Sequence, residues 1–268
     1  MTPVSSIKYT ITALLFLVVL SCSKIKQAPL KSSGIKTTNF NTLSEQFIQL
    51  AKEGKNTTHI QKELADTSLD KLDNALNTDE QRFAFWINIY NAYILVILKE
   101  HPEYYDDRDS FFSEKQIKIA GQDIPFSKIE HGILRRSQWD LGLGYFGTWF
   151  PDKFEKKLRV KKRDYRIHFA LNCGAKDCPP VAIYTPKRIK EQLEKGTALF
   201  LKKTTEYDTN TKKASVTSLF SWFRGDFGGE SGVKKILEKQ KIIADTKGVS
   251  LEYTDYDWTL DLDNFVDL

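Results

Sequence analysis

Five side chains capable of chemistry lie within one short segment, residues 166–180. A cysteine can act as a nucleophile once a base removes its proton, and two cysteines can form a disulfide. Cysteine and histidine also bind metal ions. This segment is therefore the strongest candidate for a functional site. Its chemically active residues are His168, Asn172, Cys173, Asp177 and Cys178.

Cys173 is the predicted nucleophile. It follows residues 165–171, whose apolar and polar side chains alternate as in a β-strand. Turns at strand ends commonly present reactive side chains. His168 is the nearest base in the sequence. Its separation from Cys173 on an extended strand would place the two side chains on opposite faces, so His168 is expected to point away.

His131 is the preferred base. Ser127 and Glu130 have the spacing of a capping box, which predicts a short helix to about Arg136. His131 then lies in the first turns, where the positive end of the helix dipole disfavours imidazolium and leaves the ring able to accept a proton. Glu130 or Asn88 would orient or polarise the reacting groups.

Other interpretations of the cysteine pair remain open. Cys173 and Cys178 could form a structural disulfide, or they could be buried and inert. They could also bind a metal ion together with His168, but the spacing matches no common zinc site and a fourth ligand is not evident. We therefore predict neither a metal nor another cofactor.

Residues 81–100 contain two asparagines in a predicted helix that is apolar nearly all round. Thr78 and Gln81 form a capping box at its start. Asn88 and Asn91 could fix nearby loops through backbone hydrogen bonds. Alternatively, they line a ligand-binding site, to which Trp86 and His168 would also contribute.

The N-terminus predicts export. Lys8 precedes an apolar segment, residues 11–20, that is too short to span a bilayer. Residues 19–22, Val-Leu-Ser-Cys, are similar to a bacterial lipobox, which implies cleavage before Cys22 and acylation of its thiol. An ordinary secretory signal is the alternative. The expected location is the bacterial cell envelope, with a soluble periplasmic domain held at the membrane by the lipid. That compartment permits disulfides. The predicted divisions are a signal peptide at residues 1–21, a flexible tether at 22–40 and one domain at 41–268.

The remaining composition predicts an α+β domain that does not bind nucleic acid. The net charge is only +5, and basic residues alternate with acidic ones along the chain. Helical and strand patterns mix without regular βαβ order, which favours a single domain with an antiparallel or mixed sheet and several packed helices. A papain-like architecture is possible by analogy alone. Predicted helices cover 43–51, 60–75, 81–100, 127–136, 185–203 and 233–241. Strands are predicted within 116–126, 165–171, 181–184, 214–217 and 251–258, with a loop at 221–232.

Several segments in order resemble one family, the domain of unknown function 547. The resemblance runs from about residue 60 to the C-terminus, and it implies that bacterial relatives are often exported. No activity follows from the family's motifs. Some relatives, notably in plants, carry serine in place of one or both cysteines, so the resemblance does not imply thiol chemistry throughout the family. The matching segments are residues 85–91, 129–135, 167–180, 182–186 and 253–258.

Two functional hypotheses follow. The first is a thiol-dependent hydrolase or transferase acting on an amide or thiol substrate in the cell envelope, with Cys173 as nucleophile and His131 as base. The second is a non-catalytic domain that binds a small molecule or peptide and contains a structural Cys173–Cys178 disulfide.

Overall fold

A computed structural model describes residues 39–268; the predicted signal peptide and nearly all of the predicted tether lie outside this range. The α-helices are α1 (Phe40–Lys52), α2 (Thr58–Asp66), α3 (Leu69–Ala75), α4 (Asp79–Glu100), α5 (Arg108–Ser113), α6 (Lys153–Leu158), α7 (Ile189–Thr204), α8 (Leu219–Trp222) and α9 (Gly229–Lys239). The strands are β1 (Ile117–Ile119), β2 (Gln122–Ile124), β3 (Glu206–Asp208), β4 (Lys213–Val216) and β5 (Ser250–Tyr253).

Helix α4 lies at the centre of the core. Its nearly continuous apolar sequence leaves few positions for solvent, and most of its side chains are buried. Thr78 and Gln81 make the predicted capping box, with both reciprocal hydrogen bonds present. Helix α1 packs along α4. Helix α7 also contacts α4, and the segment 165–169 packs against α7. The prediction that the apolar sequence of this helix leads to burial on most sides is confirmed.

Two small sheets complete an α+β domain, as predicted. Strands β1 and β2 form an antiparallel hairpin with Ile117 opposite Ile124. In the second sheet the order is β3-β4-β5, with β3 antiparallel and β5 parallel to β4. No helix within residues 39–268 is both long enough and apolar enough to cross a bilayer.

The predicted strand over residues 165–171 is wrong. Residues 165–169 form a 3₁₀-helix, whose first turn is capped by the Asp164 side chain accepting a hydrogen bond from the Arg166 amide. The alternating pattern was misleading because Ile167, His168 and Phe169 are all buried, whereas a strand with two distinct faces would expose every second residue.

The predicted capping box at Ser127 is also wrong. The Ser127 side chain makes no capping hydrogen bond, and residues 128–134 form a π-helix rather than an α-helix. The Arg135 amide bonds the Glu130 carbonyl at 2.8 Å, a spacing of five residues. Single π-helical turns occur frequently at functional sites.

Other predicted elements also differ from the structure. The predicted helix 60–75 divides into α2 and α3 because Ser68 caps a new helix, accepting a hydrogen bond from the Lys71 amide. Residues 181–184 form no strand; only Val181 makes a bridge, with Phe265. The predicted loop 221–232 is shorter than expected, because α8 continues to Trp222 and α9 begins at Gly229.

Candidate functional site

A cleft of about 730 Å³ brings together residues from distant parts of the sequence. We call it the aromatic cleft. Cys173 and Cys178 line it, as do Glu130, His131 and His168. Its aromatic side chains are Tyr90, Phe112, Trp222, Phe223, Tyr256 and Trp258. All three residues predicted to be catalytic, Cys173, His131 and Glu130, therefore share one cavity.

The two cysteines form a disulfide, one of the interpretations that the sequence left open. Cys178 is buried, at 2% exposure, whereas Cys173 is partly exposed. Sγ of Cys178 accepts hydrogen bonds from the Cys173 amide at 3.0 Å and from the Tyr256 hydroxyl at 3.3 Å. Cys173 is thus the more exposed residue, and Cys178 has the better hydrogen-bonded sulfur.

His131 has both ring nitrogens engaged. Nη1 of Arg135 lies 2.6 Å from His131 Nδ1. A guanidinium group only donates, so Nδ1 accepts and the ring proton lies on Nε2. Nε2 is 2.9 Å from Oδ1 of Asp140, and the hydrogen bond from His131 holds the pKa of Asp140 below its usual value. His131 therefore has no vacant nitrogen with which to accept a proton from Cys173.

Glu130 presents its carboxylate to the same cleft. The nearest ring nitrogen, Nδ1 of His131, is 4.0 Å from Oε1 of Glu130. Within residues 39–268 the carboxylate accepts no hydrogen bond. Glu130 is consequently available to interact with a bound molecule.

His168 has a different arrangement. Its Nε2 is 2.8 Å from Oδ2 of Asp226, and its ring stacks on Phe223 with centroids 4.0 Å apart. Burial lowers the pKa of His168 and outweighs the opposing effect of Asp226, so the ring is neutral and Nε2 carries the proton. Nδ1 is then unprotonated, and it makes no hydrogen bond with any described residue.

Asp226 connects the two histidines. Oδ2 of Asp226 also accepts a 2.6 Å bond from Nε of Arg135, and Oδ1 accepts a 3.0 Å bond from Arg163. Burial alone would raise the pKa of Asp226, but the hydrogen bond from His168 and the charge of Arg135 more than compensate and lower it. A His131–Arg135–Asp226–His168 chain of hydrogen bonds therefore lies beside the cleft, with Arg135 and His168 buried and the other two residues partly buried.

Glycines allow Asp226 to reach this position. A Cβ atom on Gly225 would lie 2.6 Å from the backbone carbon of Gly144. One on Gly144, whose φ is +86°, would lie 2.7 Å from the Asp226 amide nitrogen. Only glycine at both positions lets the two backbone segments approach so closely.

The residues predicted to bind a ligand from α4 lie in the core instead. Asn88 and Asn91 are fully buried and do not line the aromatic cleft. Asn88 bonds both backbone groups of Tyr184, and Asn91 bonds the Ala170 carbonyl and the Asn172 amide. These contacts agree with the alternative interpretation, in which the amides fix nearby loops.

Trp86 is likewise buried, with its ring 4.9 Å from that of Phe85. Of the four residues predicted to bind a ligand, only His168 lines the cleft.

Sequence reasoning missed three residues of the site, Arg135, Asp226 and Tyr256. Arg135 follows His131 by four positions, a spacing that could have suggested contact on a helix. Tyr256 lies within residues 253–258, one of the segments that carry the family resemblance. No local signal connects Asp226 with His168.

Metal coordination finds no support in the described part of the chain. Within residues 39–268 no group of three or more His, Cys, Asp or Glu side chains is placed to hold a metal ion.

Comparison with known proteins supports the family resemblance for part of the chain. Residues 74–201 match the model of the family described as "Protein of unknown function, DUF547". The matched range contains His131, His168 and both cysteines of the disulfide but not Asp226 or Tyr256. No curated protein and no solved structure matches the chain significantly.

Proposed function

We propose that the domain binds a small molecule or peptide carrying a positively charged group in the aromatic cleft. The observation that carries this proposal is the combination of an aromatic cluster with a carboxylate that has no hydrogen-bond partner among the described residues. The rings of Trp222, Tyr256 and Trp258 lie 4.8–5.4 Å apart by centroid, and Glu130 lines the same cavity. Aromatic faces and carboxylates both attract cations.

Acidic groups outnumber basic ones around this cavity. Asp109, Glu130 and Asp140 line it, whereas Arg108 is the one Lys or Arg among the described lining residues. The guanidinium of Arg108 already lies over Trp258, 4.9 Å from the ring centroid. The electrostatic balance therefore favours an amine or guanidinium on the ligand.

Calorimetric titration tests this proposal with two peptides that differ only by lysine or norleucine at one position. We expect the lysine peptide to bind more tightly, and Glu130→Gln to weaken its binding by about tenfold or more, since hydrogen bonds to charged groups are the stronger kind. Glu103→Gln, at an exposed site outside the cleft, is the matched control. Equal affinity for the two peptides would contradict the proposal.

A second candidate is thiol-dependent hydrolysis or transfer by the reduced protein, because Cys173 shares the cleft with His168, whose Nε2 is hydrogen-bonded to Asp226. Cys173 would attack a carbonyl carbon, and Nδ1 of His168 would take the thiol proton and pass it to the leaving group. This replaces the expected base, His131, whose Nδ1 is bonded to Arg135.

Alkylation with iodoacetamide tests this second candidate. In reduced protein we expect Cys173 to react faster than a free thiol at neutral pH. His168→Phe should abolish the excess rate, while His131→Phe should retain most of it. A Cys173 thiol that reacts no faster than free cysteine would remove the candidate.

We propose further that the chain is exported and attached to the membrane through Cys22, with the domain in the periplasm. The support is the lipobox-like sequence at residues 19–22. In bacterial cells, Cys22→Ser should eliminate labelling by radioactive palmitate and move the protein from the membrane to the soluble fraction. Labelling that persists in this variant would contradict the anchor.

A further inference from the structure

We propose that the Cys173–Cys178 disulfide is redox-active and oxidises dithiol peptides, with Cys173 as the sulfur attacked and Cys178 as the leaving group. This activity belongs to the oxidised protein. It requires neither binding of a cationic ligand nor carbonyl chemistry.

The two sulfurs differ in access, which fixes the direction of attack. Both cysteines line the aromatic cleft, but Cys173 is partly exposed whereas Cys178 is only 2% exposed. An incoming thiolate must approach the sulfur that it attacks. Cys173 is the sulfur that such a group meets first.

The hydrogen bonds favour Cys178 as the departing thiolate. Its Sγ accepts from the Cys173 amide at 3.0 Å and from the Tyr256 hydroxyl at 3.3 Å, whereas Cys173 Sγ lies 3.8 Å from the same hydroxyl. Burial raises the pKa of Tyr256 far above its ordinary value, so this hydroxyl keeps its proton and remains a donor. Donors to a thiolate lower its basicity and make it a better leaving group.

The loop between the cysteines is held without the disulfide. Asn172 accepts a 2.8 Å bond from the Gly174 amide and donates a 2.8 Å bond to the Pro179 carbonyl, joining both ends of the loop. Asn264 donates to the Cys178 carbonyl at 3.1 Å. A disulfide that closes so short a loop also constrains the unfolded chain less than one closing a long loop. The pair can therefore be reduced and reoxidised without unfolding of the domain.

The exchange balances in two steps. A substrate thiolate attacks Sγ of Cys173; the substrate–Cys173 bond forms, and the Cys173–Cys178 bond breaks with its electron pair on Cys178. The second thiolate of the substrate then attacks the substrate sulfur, and Cys173 leaves as a thiolate. The substrate dithiol loses two electrons and two protons, and the two cysteine sulfurs gain them.

The direction of attack is tested by trapping the mixed disulfide. The oxidised protein is treated with reduced glutathione, freed thiols are blocked with N-ethylmaleimide, and peptide mass spectrometry locates both groups. We expect glutathione on Cys173 and the maleimide on Cys178. Glutathione on Cys178, or no reaction until the protein is unfolded, would overturn the proposal.

The role of Tyr256 is tested by the rate of reduction with dithiothreitol. Tyr256→Phe should slow the reaction by about tenfold, because one hydrogen bond to the leaving thiolate is lost. Tyr104→Phe, at an exposed site outside the cleft, should leave the rate unchanged. Equal rates in all three proteins would overturn the assignment of Cys178 as the stabilised leaving group.

Near-UV circular dichroism of the reduced wild type separates a redox pair from a structural one. We expect the native spectrum to persist after reduction and the disulfide to re-form on oxidation. Loss of the native spectrum would overturn the proposal. Peptide binding through Glu130 is measured on oxidised protein, so either proposal can fail while the other stands.

Discussion

Two irregular helical turns each bring a histidine to the same cleft, and the two histidines have different chemical capacity. The π-helix 128–134 carries His131, whose nitrogens are bonded by Arg135 and Asp140. The 3₁₀-helix 165–169 carries His168, which is bonded by Asp226 through Nε2 alone among the described residues. Position in the cleft is therefore insufficient to make a base: the hydrogen-bond partners decide which nitrogen can accept a proton.

The largest expected effect on stability comes from removing the carboxylate that bonds each histidine, which is Asp226 for His168 and Asp140 for His131. Asp226→Ala should lower the free energy of unfolding by about 3–5 kcal/mol, because it leaves the buried Arg135 without its counter-ion. Asp140→Ala should cost about 1 kcal/mol or less, since its side chain is 67% exposed. Urea denaturation measures both, and comparable losses would mean that the two carboxylates do not differ as the structure indicates.

A smaller loss of stability is expected from removing the buried amide that bonds the backbone next to His168. Asn91→Ala removes hydrogen bonds to the Ala170 carbonyl and the Asn172 amide, next to the turn that carries His168. Leaving such buried groups unpaired should cost about 1–3 kcal/mol. Asn210→Ala, at an exposed site, is the control for the same denaturation experiment. If Asn91→Ala were as stable as the control, this amide would not fix the turn.

Stability at mildly acidic pH should report on His168. Burial lowers the pKa of His168 in the folded state below the ordinary value of 6.5, and the charge of Arg135 lowers it further. The neighbouring Asp226 and Glu130 raise this pKa but do not reverse the shift. Below pH 6.5 the unfolded chain therefore binds a proton that the folded chain does not, and stability falls as the pH falls.

Urea titrations at a series of pH values measure this dependence. Titration of His168 changes the free energy of unfolding by at most about 1.4 kcal/mol per pH unit, over the interval between its ordinary pKa and its lower pKa in the folded state. His168→Asn should flatten the curve there. An identical slope in the variant and the wild type would show that another group causes the loss.

The smallest effect concerns the start of the π-helix that carries His131. Ser127→Ala should change the free energy of unfolding by less than about 0.5 kcal/mol, because the hydroxyl caps nothing. Thr78→Ala, at the capping box of α4, should cost about 1 kcal/mol in the same assay. A loss at Ser127 equal to that at Thr78 would restore the capping box that the sequence suggested.

The regular elements could be predicted because their signals are local. Thr78 and Gln81 are three positions apart, and their reciprocal hydrogen bonds form within one turn of α4. The hairpin of β1 and β2 likewise needs only a turn between two short apolar segments. The same local patterns failed at Ser127 and over residues 165–171, where burial on several sides determines the backbone.

The candidate site was predictable in its residue types and only partly in its contacts. Cys173 and His131 share a cleft, as the proposed reaction requires, but His168 and not His131 has a vacant nitrogen. That exchange of roles depends on Asp226, which is separated from His168 by 58 positions. No periodicity or spacing rule reaches across such a distance.

The sequence alone determined that a buried helix, a cysteine pair and two histidines belong to one α+β domain, because composition and short-range periodicity control these features. The tertiary structure decided which cysteine is accessible, which histidine can accept a proton and which asparagines are structural. Those properties depend on burial and on hydrogen bonds between segments far apart in the chain, and both exist only once the backbone has folded.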